Sequence, residues 1–98
     1  MAANRGDVKA QSLLGKMYLG GYGIDPDFIM AERWLFQASK QNDPESLYLL
    51  GSMYEHGIGV SINLETAKKW YKLAAARGHQ DAKNAYDQLV KHEMKIYK

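Results

Sequence analysis

Cysteine is absent from the 98 residues. That removes a disulfide framework, thiolate catalysis and thiolate metal sites in one step. A strong charge of one sign is also absent. Lys and Arg total 13 against 11 Asp and Glu, a net charge of +2 with no long run of either sign. Such a weak field does not by itself recruit nucleic acid or an anionic membrane, so neither is expected as a partner. No apolar run reaches the ~18 residues that a membrane-crossing helix needs. The first residues, Met1 to Asp7, lack the apolar stretch of a secretion leader. Met1 is compatible with a start added to a trimmed chain, so cytoplasm and bacterial periplasm both remain open. What the chain does have is 46% hydrophobic and 11% aromatic residues. That is enough to drive collapse and argues against disorder. The length fits one small domain of modest stability, residues 1–98.

The strongest signal is an internal repeat. Leu13-Leu14-Gly15-Lys16-Met17-Tyr18 returns 36 residues later as Leu49-Leu50-Gly51-Ser52-Met53-Tyr54. At the same offset Gly21-Tyr22-Gly23-Ile24 returns as Gly57-Ile58-Gly59-Val60. Ala31, Trp34 and Ala38 return as Ala67, Trp70 and Ala74, and Asp7 returns as Asp43. A third copy starts and stops, with Ala82, Tyr86 and Leu89 in the places of Ser46, Leu50 and Met53. The units are 7–42, 43–78 and a partial one at 79–98, about two and a half in all.

Each full unit reads as two helices. Ala10, Leu13, Leu14, Met17 and Tyr18 follow helical spacing, and Ser46, Leu49, Leu50, Met53 and Tyr54 repeat it. Asp7 and Asp43 are suited to cap these first helices, and Pro44 to occupy a first helical position. Gly20-Gly21 and Gly57 are suited to end them. The second helices open near Asp27 and Asn63. Their inner stripes are Phe28, Ala31, Trp34, Leu35, Ala38 and Leu64, Ala67, Trp70, Tyr71, Ala74. A last helix runs from about Asp81 towards Tyr97, with Ala82, Ala85, Tyr86, Leu89 and Val90 inward. Lys91, His92, Glu93, Lys95 and Lys98 make its end polar, as befits a cap on a stack. Gly15 and Gly51 sit in mid-helix, where glycine costs about 1 kcal/mol relative to alanine. A close helix crossing would justify that cost, and Trp34 and Trp70 are the expected partners there.

These motifs resemble the Sel1-like repeat: A-x-x-x-L-G-x-M-Y, then G-x-G-[IV], then A-x-x-W-x-x-x-A. The family is related to the tetratricopeptide repeat. The resemblance covers about Asp7 to Gly78 in full. It departs at Ser46, where alanine is usual, and at Asn42, where glycine is usual. Some members carry a cysteine pair bridging the two helices of a unit, and this chain has none. The resemblance implies an all-α fold: a right-handed superhelical array of antiparallel helix pairs, an α/α solenoid, with a concave face lined by the first helices. It also implies an adaptor that binds a protein or peptide.

No catalytic constellation accompanies the repeat. His92-Glu93 is followed by Met94, Lys95 and Ile96, not by a zinc-binding pattern. There is no G-x-S-x-G element or phosphate loop. Gly21-x-Gly23 and Gly57-x-Gly59 recur in register, which marks them as turns. His56, His79 and His92 read as exposed residues near helix ends. Met17, Met53, Tyr18, Tyr54, Trp34 and Trp70 recur with the repeat and read as core. No enzyme activity, cofactor or metal is expected.

Where the units differ, a partner has something to read. By the tetratricopeptide resemblance, the groove side of the first helices carries Lys9, Ser12, Lys16 and Leu19, then Glu45, Tyr48, Ser52 and Glu55. The last helix adds Asp81, Asn84, Gln88 and Lys91. This groove is basic at one end and acidic in the middle, with Tyr48 as an aromatic anchor. An alternative is a bacterial inhibitor or immunity-type protein that blocks one toxin-like enzyme. Two and a half units leave an apolar end, expected at the first helix. Self-association or membership of a longer array would cover it.

Overall fold

The computed structural model describes residues 3–21 and 23–96. The sequence readings that involve Met1, Ala2, Tyr22, Tyr97 and Lys98 lie outside them. A single 3-10 turn, Ala3–Arg5, leads into α1 (Val8–Gly20), α2 (Phe28–Ser39), α3 (Pro44–His56), α4 (Leu64–Ala76) and α5 (Gln80–Ile96). The described residues contain no strand. α1 packs on α2, and α3 on α4. α2 also packs on α3 and α4 on α5, so consecutive helices stack into an elongated body of 51 × 26 × 17 Å.

The repeat in sequence is a repeat in hydrogen bonding. The Asp7 carboxylate accepts from the Ala10 N–H at 3.1 Å, and that of Asp43 from the Ser46 N–H at 3.0 Å. Asp27 and Asn63 do the same for Met30 and Thr66, at 3.1 and 3.0 Å. Each cap satisfies a first-turn donor that has no partner within the helix. Gly21 and Gly57 both end their helices at φ 69°, and each donates its N–H to the carbonyl of Met17 or Met53. The Asp27 N–H then returns to the Tyr18 carbonyl, and that of Asn63 to the Tyr54 carbonyl, both at 2.9 Å. Asn42 takes φ 60° where Gly78 takes φ 89°, in line with the substitution noted from sequence.

The core has two parts. Leu35, Leu50 and Met53 form one, between the two pairs. Leu47, Ala67, Tyr71, Ala74, Ala82 and Leu89 form the other, between the second pair and α5. Trp70 touches both.

The glycine crossings are real, but tryptophan does not fill them. A Cβ built on Gly15 would lie 2.6 Å from Leu35 Cγ, and one on Gly51 2.6 Å from Tyr71 Cδ1. The residue after each tryptophan therefore covers the glycine. Trp70 instead reaches sideways and meets the Phe36 ring edge-on, with centroids 6.3 Å apart. The indole is too large for a crossing at this distance, so the smaller neighbour on the same broad stripe takes the place. Three further stripe residues are less buried than expected. Leu13 is 58% exposed, because among the described residues no helix packs on that side of α1. Phe28 and Leu64, at the open starts of α2 and α4, are also exposed. Conversely, Gln11 and Leu47 are buried and were missing from the sequence-derived stripe.

Candidate functional site

The face carried by α1, α3 and α5 gathers most of its chemistry around Tyr48. Tyr48 stands in the first half of α3, one turn beyond Glu45. His79 precedes α5 and occupies the repeat position of Asp7 and Asp43. Its Nδ1 accepts the Ala82 N–H at 3.1 Å, so the imidazole is the third cap of the series. An accepting Nδ1 carries no proton, which leaves Nε2 as the N–H. Nε2 donates to Glu45 Oε2 at 3.0 Å. The ring lies against Tyr48, with centroids 4.5 Å apart and planes 18° from parallel. The side chain of His79 is only 13% exposed, which corrects its reading as an exposed helix-end residue. His56 and His92 are exposed as expected.

On the other side of Tyr48 lies Tyr71, with ring centroids 5.7 Å apart. Tyr71 is buried, and its hydroxyl donates to Glu55 Oε1 at 2.6 Å. Burial pushes the Tyr71 phenol far above its ordinary range, and the Glu55 hydrogen bond and charge push it further, with Ser52 opposing. Tyr48 is raised as well, first by burial and then by the carboxylates of Asp81, Glu45 and Glu55. Glu45 and Glu55, bonded to His79 and Tyr71, thus flank the half-buried Tyr48 through its two ring neighbours. The arrangement holds a ring and an acidic rim in place. Among the described residues no group of three His, Asp or Glu is placed to hold a metal ion.

Of the other residues expected in the groove, Lys16 joins Glu45, Leu19, Gly20 and Leu49 in lining a shallow depression of about 260 Å³ between α1 and α3. Ser52 lies half-buried on α3 beside this cluster. Ser12, in the repeat position of Tyr48, is only 8% exposed and offers a partner little surface. Lys9, Asn84 and Gln88 are exposed, and Asn84 accepts from the Gln80 amide at 3.2 Å. The structure does not join these three to the cluster. Sequence reasoning missed His79, Tyr71 and Leu49 as members of this face. The repeat register held the clue for His79, since it stands where two capping aspartates stand. A larger cavity, about 500 Å³ beside Trp34, shares no residue with this face.

No helix in the described residues is long and apolar enough to cross a membrane. No curated protein is a match for the chain. Two solved structures are similar. One is a Sel1 repeat protein from Oxalobacter formigenes, 33% identical, with a TM-score of 0.83 over 87% of this chain and 35% of that one. The other is a protective antigen present in uropathogenic Escherichia coli strains and displaying an SLR fold, also 33% identical, with a TM-score of 0.80 over 83% of this chain and 17% of that one. This chain therefore spans about a third of the first relative and a sixth of the second. Proteins of this repeat class generally mediate protein–protein interaction and are typically not catalysts. The Sel1 repeat model matches residues 8–43 and again 44–79, each in phase with the helix pairs and caps described above, and the chain belongs to the Sel1 repeat family.

Proposed function

We propose that this chain is a protein-binding adaptor that acts by binding rather than by catalysis. It takes a protein or peptide segment along a concave face formed by α1, α3 and α5. The observation that carries this reading is the Tyr48 ring beside His79 and Tyr71, with Glu45 and Glu55 hydrogen-bonded to those two neighbours. The core is repeated between units, while this face is not: Ser12 stands where Tyr48 stands, and Lys16 where Ser52 stands. The acidic groups beside the ring suit an extended segment that brings a lysine or arginine to them. The depression lined by Leu19 and Leu49 suits a neighbouring aliphatic side chain.

The test begins with capture of a partner from the native host and measurement of its affinity by calorimetry. The double variant Tyr48→Ala with Lys16→Glu is expected to weaken binding at least tenfold while the helical melt is retained. A convex-side control, Lys69→Glu, is expected to bind as the natural chain does. Unchanged affinity in the double variant excludes this face. Recovery of one stoichiometric enzyme, inhibited on binding, would favour the inhibitor alternative over a general adaptor.

A further inference from the structure

We infer that the stack is open at its first helix pair and closed at its last helix. The cavity beside Trp34 is the seat for the second helix of a further repeat, which runs into Ala3, and Asp87 bars an equivalent addition on α5.

The 3-10 turn Ala3–Arg5 is in register with the ends of α2 and α4. Ala3 takes the place of Ser39 and Ala75, and Gly6 that of Asn42 and Gly78. The geometry agrees with the register. The Gly6 N–H donates to the Ala3 carbonyl at 3.2 Å, as Asn42 does to Ser39 and Gly78 to Ala75, both at 2.9 Å. Gly6, Asn42 and Gly78 all take positive φ, at 87°, 60° and 89°. The turn is thus the last turn of a helix equivalent to α2 and α4. Ala3 is 2% exposed, and its carbonyl also accepts the Gln11 amide at 3.1 Å, which fixes the turn against α1.

Extending that turn backwards as a helix leads it past Trp34. Within the molecule the same relation holds between α2 and Trp70, whose indole is covered by Phe36. Among the described residues no ring stands over Trp34 in this way. Trp34 lines a cavity of about 500 Å³ together with Ala3, Gln11, Met30, Arg33 and Gln37. Leu13 tells the same story. Its counterpart Leu49 packs against the cluster containing Leu35 of the preceding pair, whereas Leu13 is 58% exposed. By the same relation the second helix of a preceding pair would cover Trp34, as α2 covers Trp70, and its first helix would approach Leu13, as α1 approaches Leu49, so the occupant is a helix pair of this same repeat type.

The other end differs at one decisive position. Second helices cross first helices over Gly15 and Gly51, where even a Cβ would collide with the facing residue. In the third unit that position is Asp87. Its carboxylate is about half exposed and lies 3.4 Å from Lys83 Nζ. A helix crossing there at the same distance would meet a charged side chain and strip it of water, which is unfavourable twice over.

The test uses extended versions of the chain, the second of which replaces residues 93–98. In the first, residues 39–74 are joined ahead of Ala3, which adds one unit in register. Its melting midpoint is expected to rise by several degrees as one cooperative transition. Trp34→Ala is expected to lower the midpoint more in this extended chain than in the natural one. In the second, residues 57–78 follow His92, which adds a second helix to α5. No rise is expected there, while the same extension with Asp87→Gly is expected to gain. An added first unit that stays unfolded, or a Trp34→Ala penalty equal in both chains, overturns the seat. A gain from the second extension with Asp87 in place overturns the closed end.

Discussion

The two helix pairs are built from nearly the same pattern, yet the second is far better buried than the first. Leu50 is 1% exposed and Met53 is fully buried, while Leu14 and Met17 are only half-buried. Leu49 packs into the inter-pair cluster, while Leu13 faces solvent. Neither helix propensity nor capping accounts for this, since the caps match to within 0.1 Å. The difference is the neighbours. The second pair has α2 on one side and α5 on the other, whereas the first has a helix pair on one side only. In a stacked array, burial belongs to the interface between units more than to the unit itself.

That comparison can be broken, and the largest effects lie in the core. Leu50→Ala is expected to cost about 3 kcal/mol and Leu14→Ala about 1 kcal/mol, since a cavity penalty needs walls that cannot collapse. Equal losses in urea titration would show that the pairs are equivalent after all. Next come the glycines. Gly51→Ala presses on the Tyr71 ring, and Gly15→Ala on the buried Leu35, whose backbone nitrogen is also only 3.3 Å from the added methyl. Each is expected to cost about 2 kcal/mol, offset in part by alanine's better helix propensity. Thermal melts followed by circular dichroism would measure both.

Tyr71 also separates the pairs by pH, because Leu35 has nothing to titrate at the equivalent place. Its phenol is raised above the ordinary value of 10.0 by burial and by Glu55. Below that value both folded and unfolded chains hold the proton. Above it the unfolded chain releases the proton first, so stability falls by about 1.4 kcal/mol per pH unit until the folded phenol ionises. Tyr71→Phe is expected to remove that part of the alkaline loss, as read from denaturation midpoints between neutral and strongly alkaline pH. A slope identical to the natural chain's would place the titration elsewhere. The smallest contrast is in the caps. Asp43→Ala is expected to cost about 1 kcal/mol and Asp7→Ala about half as much. Asp43 also accepts the Ser46 hydroxyl at 2.6 Å, and Ser46 is fully buried.

Much of the fold is legible in the sequence because each signal occurs twice in register. The caps, the left-handed turns and the glycine crossings are all local chemistry, and repetition separates them from chance. The identity of the residue over each glycine is not local. Trp34 and Leu35 are adjacent on one broad stripe, and only the distance between the helices decides which of them enters the crossing. Leu13 shows the same limit, since helical spacing cannot reveal whether a neighbouring unit exists. The candidate site was legible in part. Glu45, Tyr48 and Glu55 fall on one side of α3 by spacing alone. His79 and Tyr71 arrive from other helices. Histidine was read by its frequent exposure rather than by its repeat position, which was that of a cap.

The contact that closes the second helix pair is the approach of α4 to α3 at Gly51. A double-mutant cycle between Gly51→Ala and Tyr71→Leu, measured by urea unfolding, tests it directly. Leucine is smaller than the ring that the added methyl meets, so the penalty for Gly51→Ala should shrink by at least half once Tyr71 is replaced. Penalties that simply add would mean that the glycine is not there to admit the ring.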